Sequence, residues 1–199
     1  MSNRSIHTLL KNWDEECPLT REEAVEVLNL PEEEMDSLME CAYALRTKYK
    51  GKKVSVQLLT NVRSGNCTQN CAYCAQSKDS QAEIEKYKRV SDEKLYGDND
   101  LVDEKHLARH CIGLSGIGFS DEEIEDLADR IREMKKKDTQ ICCSIGFLTE
   151  KQARILKDAG LDRINHNLNS SRSFYPEICS THTYDQRVNN IKNVAGAGI

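Results

Sequence analysis

The chain has 199 residues, 38% hydrophobic and 31% charged, with a net charge of −5 at pH 7. This is ordinary soluble composition, long enough for one buried core and better suited to one domain than two. The acidic balance argues against nucleic acid, and no apolar run approaches the ~20 residues that cross a bilayer or follows the polar opening Met1–Ser5 as a signal peptide would, so a cytoplasmic protein is expected.

Residues 1–50 read as a helical extension. Thr20 with Glu23 forms a capping box ahead of Ala24, Val25 and Leu28. Pro31 fits the first turn of a second helix, in which Met35, Leu38, Met39, Ala42 and Leu45 recur at helical spacing as a packing stripe. From Lys53 the pattern changes, and the short β-branched run Val54–Leu59 predicts a strand. Tyr96-Gly97-Asp98-Asn99-Asp100 interrupts any helix that follows, leaving Glu104–His110 for a short one. Further strands are expected at His110–Leu114, Gln140–Ile145 and Leu161–Leu168. Capped helices follow each of them, beginning at Ser120, Thr149 and Thr183. Lys135-Lys136-Lys137 sits where the first of these helices ends, complementing its dipole. Strand, loop, capped helix, strand is the grammar of βα repeats on a parallel sheet. The fold class expected is α/β, with residues 51–199 forming roughly the first half of a TIM-type (β/α) barrel truncated at its C-terminus.

Nine cysteines in a chain neither small nor visibly secreted point to metal rather than to a disulfide framework. Cys67, Cys71 and Cys74 follow the first strand in the pattern Cys-x3-Cys-x2-Cys, on the side where βα loops build active sites. A structural zinc site takes four protein ligands, and the next Cys or His along the chain is His106. Three thiolates on a cubane would leave one iron open to a ligand. A thioredoxin-like pair would leave Cys67 unexplained.

This spacing, with Tyr73 just before the third cysteine, resembles the radical S-adenosylmethionine (SAM) superfamily. The resemblance implies a [4Fe–4S] cluster on Cys67, Cys71 and Cys74 whose open iron binds SAM, with Tyr73 seating the adenine. The longer stretch from Arg63-Ser64-Gly65-Asn66 to Cys74-Ala75-Gln76-Ser77 is similar to the biotin synthase family. So are Cys111-Ile112-Gly113, Cys142-Cys143-Ser144-Ile145-Gly146 and Asn165-His166-Asn167-Leu168. That likeness implies sulfur insertion into dethiobiotin: a 5′-deoxyadenosyl radical abstracts hydrogen, and an auxiliary Fe–S cluster held by Cys111 and Cys142 supplies the sulfur. It also implies that Asn165 and Asn167 contact substrate, and that Asn167 and Asn169 contact SAM. Asn169 stands where many family members carry an acidic residue. A flavodoxin- or ferredoxin-type reductant and a homodimer belong to the same expectation.

Strand parity sends Cys142 and Cys143 to opposite faces, and the intervals that the resemblance implies pick Cys142 as the inward one. Asn165 and Asn167 share a parity, and their amides offer both donor and acceptor to a cyclic urea. His166 reads as a packed or hydrogen-bonded histidine, and Cys17, Cys41 and Cys179 read as plain thiols. A third cysteine for the auxiliary cluster would lie past Ile199, so the 199 residues alone are expected to be inactive. The rival readings are a barrel enzyme of the hydrogenase-maturation or methylornithine-forming type, and a non-catalytic Fe–S carrier.

Overall fold

The structure is a computed structural model that describes residues 19–199. The chain divides into two compact units between Val54 and Ser55. In the first, α1 (Arg21–Leu28) starts at Thr20, whose side chain and that of Glu23 form the expected reciprocal box. Pro31 precedes a single 3₁₀ turn, Glu32–Glu34, which runs into α2 (Met35–Lys50). The methionine stripe is not a packed one: Met39 keeps 62% of its surface exposed, and neither helix buries a residue. Cys41 lies half-buried on α2, and Cys17 lies outside the described residues.

The second unit is a four-stranded, wholly parallel sheet in the order β1 (Gln57–Arg63), β2 (Arg109–Leu114), β3 (Ile141–Ser144), β4 (Arg163–Ile164). The first strand begins three residues later than the apolar run predicts. Val54 and Val56 are solvent-exposed, whereas Thr60 and Val62 are each 3% exposed and face the helices. The polar letters Thr60-Asn61 and Arg63 cut short the apolar run that the sequence offered; Asn61, on the other face, borders a cavity. Strand β4 is also shorter than expected. Beyond Asn165, whose N–H still donates to the Cys143 carbonyl at 2.8 Å, strand β3 turns away and Phe147 N–H binds the Ile117 carbonyl instead. Gly146 permits that turn, since a Cβ there would lie 2.4 Å from the Ile117 oxygen.

The segment between β1 and β2 corrects the sequence reading. Asp92–Glu104 forms one continuous helix, α3, through Gly97 and Asn99, with Ser91 accepting from Lys94 N–H at its start. Leu95 and Val102 bury into the core, and Asn99 reaches the Met134 carbonyl at 3.2 Å and the His110 ring at 3.2 Å. Tertiary partners thus outweigh the weak helix propensity of Gly97, Asp98, Asn99 and Asp100. Glu104–His110 is not a helix: the chain turns at His106 and Arg109 already begins β2.

The helices α4 (Asp121–Met134), α5 (Glu150–Asp158) and α7 (Tyr184–Gly196) begin at Ser120, Thr149 and Thr183, each with a full capping box. A short helix, α6 (Tyr175–Ile178), precedes the last. The core forms where Ile112, Ile141 and Cys143 on the sheet meet Ile124, Leu127, Ile131 and Leu156 on α4 and α5. No described helix is long and apolar enough to cross a membrane.

Candidate functional site

Parallel pairing sets Leu59, Cys111, Cys142 and Arg163 in one register row across all four strands. Cys111 and Cys142 are direct partners in that row and share a face. Cys143, one residue on, is completely buried against the helices. Burial first, and the neighbouring Cys111 second, push the Cys142 thiol up to about 11, against the pull of Arg109 and Arg163.

Two residues further along the same face, about 6.6 Å at a parallel-strand rise, Gly113 and Ser144 border a cavity of about 370 Å³. That is room for a small organic ligand. The cavity lies at the C-terminal ends of the strands, and its wall includes Cys67, Cys71, Cys74 and Tyr73 as well as Asn165, Asn167 and Asn169. The structure therefore brings the cysteine motif and the asparagine motif to one place, with the Cys111–Cys142 pair deeper on the same sheet face. The side chains of Asn165, Asn167 and Asn169 are exposed to it in alternation with half-buried neighbours. Asn169 sits at φ 65°, a left-handed conformation that asparagine tolerates. Its amide donates to the Tyr73 hydroxyl at 2.6 Å.

The sequence offered no sign of Arg187. Its guanidinium, 9% exposed, donates to the Tyr73 hydroxyl at 2.9 Å, to the Asn167 carbonyl at 2.8 Å and to the Tyr175 hydroxyl. Burial of Tyr73 pushes its phenol above the ordinary value against the pull of Arg187. His166 lines the same cavity, stacks near Phe147 at 5.7 Å, and keeps a buried Nε2 without a protein partner.

Cys179 is not the isolated thiol expected. The segment following β4 folds back over the cysteine loop: Ala72 N–H binds the Ile178 carbonyl at 2.9 Å, and Asn70 Nδ2 donates to Ser180 Oγ at 2.8 Å. This brings Cys179 Sγ to 3.8 Å from Cys71 Sγ, with His182 beside both. Separations of more than a hundred residues left no local signal for that meeting. Burial first, and Cys179 next, push the Cys71 thiol up, so a metal there must displace its proton.

The motif cysteines suit a polynuclear cluster better than a single ion. Two thiolates on one zinc with bonds of ~2.3 Å lie roughly 3.8 Å apart. Among the described residues, the three ligand atoms that come within 4.8 Å of one another are those of Cys71, Cys179 and His182, not those of Cys67, Cys71 and Cys74. The motif cysteines border a cavity rather than converge on a point, and thiolate is the ligand that Fe–S clusters take.

Comparison with known proteins gives the family. The model of the radical SAM superfamily matches residues 61–199. The chain is 40% identical to a biotin synthase of Geobacillus kaustophilus over 182 residues, covering 91% of this chain and 55% of the relative. It is 41% identical to a biotin synthase of Bacillus cytotoxicus over 183 residues, with the same two coverages. The chain thus spans about half the length of the curated relatives it matches. Among solved structures, a methylornithine synthase superposes with a TM-score of 0.81 at 16% identity, over 97% of this chain and 56% of the other. The FeFe-hydrogenase maturase of Carboxydothermus hydrogenoformans does so with a TM-score of 0.78 at 21% identity, over 98% and 45%. At such identities these two speak for the fold alone, half of a TIM-type barrel.

Proposed function

The chain belongs to the radical SAM superfamily, and from that premise we propose that it carries the cofactor end of a biotin synthase, which inserts sulfur into dethiobiotin. What supports this most is one arrangement. The Cys111–Cys142 pair lies on the same sheet face as, and deeper than, the cavity walled by Cys67, Cys71, Cys74 and the three asparagines. Identity near 40% to biotin synthases, against 16% and 21% to the methylornithine and hydrogenase-maturation neighbours, favours this over the rival barrel enzymes.

In this reading a [4Fe–4S] cluster and SAM together supply a 5′-deoxyadenosyl radical for hydrogen abstraction. Cys67, Cys71 and Cys74 hold the cluster. Tyr73 and Asn169, already hydrogen-bonded to each other, orient SAM together with Asn167, while Asn165 and Asn167 bind the ureido ring of the substrate. Arg187 holds the Asn167 backbone and the Tyr73 hydroxyl in place. Cys111 and Cys142 hold the auxiliary Fe–S cluster deeper on the sheet, shielding the sulfur source from water. A flavodoxin- or ferredoxin-type reductant, a homodimeric state and a cytoplasmic location extend the same reading.

The test uses the whole polypeptide that the gene encodes, reconstituted with iron and sulfide under anaerobic conditions. Biotin is expected from dethiobiotin, SAM and reductant. Cys142→Ala is expected to lose biotin while still forming 5′-deoxyadenosine. Undiminished biotin formation by that variant would remove Cys142 from the sulfur source.

A further inference from the structure

Beside Cys71 the hydrogen bonds can be followed proton by proton. Arg187 Nε donates to the Tyr175 hydroxyl, so that hydroxyl sends its own proton to His182 Nε2, 2.9 Å away. The proton of the neutral imidazole is therefore on Nδ1. It goes to Gln69 Oε1 at 2.9 Å, an oxygen that can only accept. The Gln69 amide nitrogen, for its part, donates to Thr68 Oγ1 at 3.1 Å. Asn70 Oδ1 receives three donors: Ser180 N at 3.1 Å, Thr181 N at 3.3 Å and Thr181 Oγ1 at 3.0 Å.

The Cys179 thiol is 3% exposed among these groups. Its sulfur lies 3.3 Å from His182 Nδ1, 3.5 Å from Asn70 Oδ1, 3.5 Å from Thr181 Oγ1 and 3.8 Å from Cys71 Sγ. The imidazole nitrogen already carries a proton; while Cys71 keeps its own proton its S–H points to Cys179 Sγ, and the Cys179 S–H points to Asn70 Oδ1, an oxygen that already takes three other donors. Thr181 Oγ1 gives its proton to Asn70 and receives one from Asn70 N–H at 3.2 Å. Once Cys71 is a metal-bound thiolate it has no proton and is the strongest acceptor within reach. The same tautomer argues against Cys179 and His182 holding a separate ion with Cys71, since Nδ1 would first have to surrender its bond to Gln69.

We infer that the Cys179 S–H donates a hydrogen bond to Cys71 Sγ and raises the reduction potential of the cluster, with Asn70, His182 and Gln69 fixing the thiol in place. This rests on the reading of Cys71 as a cluster ligand. The physical cause is general: a donor aimed at a cluster sulfur stabilises the more negative, reduced state. Cys179 acts through Cys71 and is a positioning residue, not a catalytic one.

The test is a redox titration of the intact, reconstituted protein followed by electron paramagnetic resonance. Cys179→Ala is expected to retain its cluster but to show a several-fold lower reduced-to-oxidised ratio at a fixed poised potential; a tenfold fall corresponds to about 59 mV for one electron. Cys179→Ser keeps a donor and is expected to shift the ratio less. A second measurement uses the unaltered protein and so does not depend on a variant keeping its cluster. Electron–nuclear double resonance in H₂O and D₂O is expected to show an exchangeable proton coupled to the reduced cluster. Identical titrations for the unaltered and Cys179→Ala proteins, or no such proton in the unaltered one, would overturn the inference. A protein that forms no cluster at all would instead overturn the assignment of Cys71 on which the inference stands.

Discussion

Arg187 keeps a nearly buried guanidinium by giving its N–H groups to three oxygens, those of Tyr73, Tyr175 and Asn167. A planar fork can do this and a lysine ammonium cannot reproduce it. Arg187→Lys is therefore expected to weaken SAM binding roughly tenfold, or about 1.4 kcal/mol, by equilibrium dialysis; unchanged affinity would detach Arg187 from the site. At this scale the sequence is legible where chemistry is local. Cys67, Cys71 and Cys74 stand within eight residues of one another, and the asparagines stand at every second position from 165 to 169. Arg187 and Cys179 carried no such mark, because what ties each to the cysteine loop is a partner more than a hundred residues away, Tyr73 for one and Cys71 for the other.

Secondary-structure elements were readable where a side chain caps its own backbone. Thr20, Ser120, Thr149 and Thr183 each begin the expected helix, since the bonds that start it join residues three apart. Helix α3 was missed because its cap, Ser91, has Lys94 rather than an acidic or amide partner, and because Gly97 stands in its middle. Gly97 is exposed, and a Cβ there would meet nothing within 4 Å. Gly97→Ala is accordingly expected to stabilise the protein by about 0.5–1 kcal/mol, raising its melting temperature by about 1–4 °C. A drop on thermal denaturation would show that the glycine is needed where it stands. Strand parity also separated Cys142 from Cys143, but no local pattern could foretell that β4 pairs only through Arg163 and Ile164. That depends on where β3 turns away.

Over the whole molecule, the buried histidines tie stability to pH. Burial first, then the charges of Arg187 and His166, hold the His182 pKa down at about 4; burial and Arg187 do the same for His166. Unfolded, each titrates near 6.5. Between these values the unfolded chain binds the extra protons, so the stabilisation is complete above pH 6.5 and is lost as pH falls through 4. The His182 share is of order 3 kcal/mol. Thermal unfolding between pH 7 and pH 4 should show that decline, with a shallower slope in His182→Gln; equal slopes would mean that His182 is not held neutral. The parallel order of the sheet was legible from the βα grammar, and it is what places the cysteine loop and the asparagine segment at the same end. The proposed function stands on Cys67, Cys71 and Cys74 holding a cluster with an iron open to SAM. Electron paramagnetic resonance of the reduced, anaerobically reconstituted protein tests it most directly, with and without SAM. A [4Fe–4S] signal is expected that changes when SAM is added and is absent from Cys71→Ala. A protein that forms no cluster and instead binds one equivalent of zinc would contradict it.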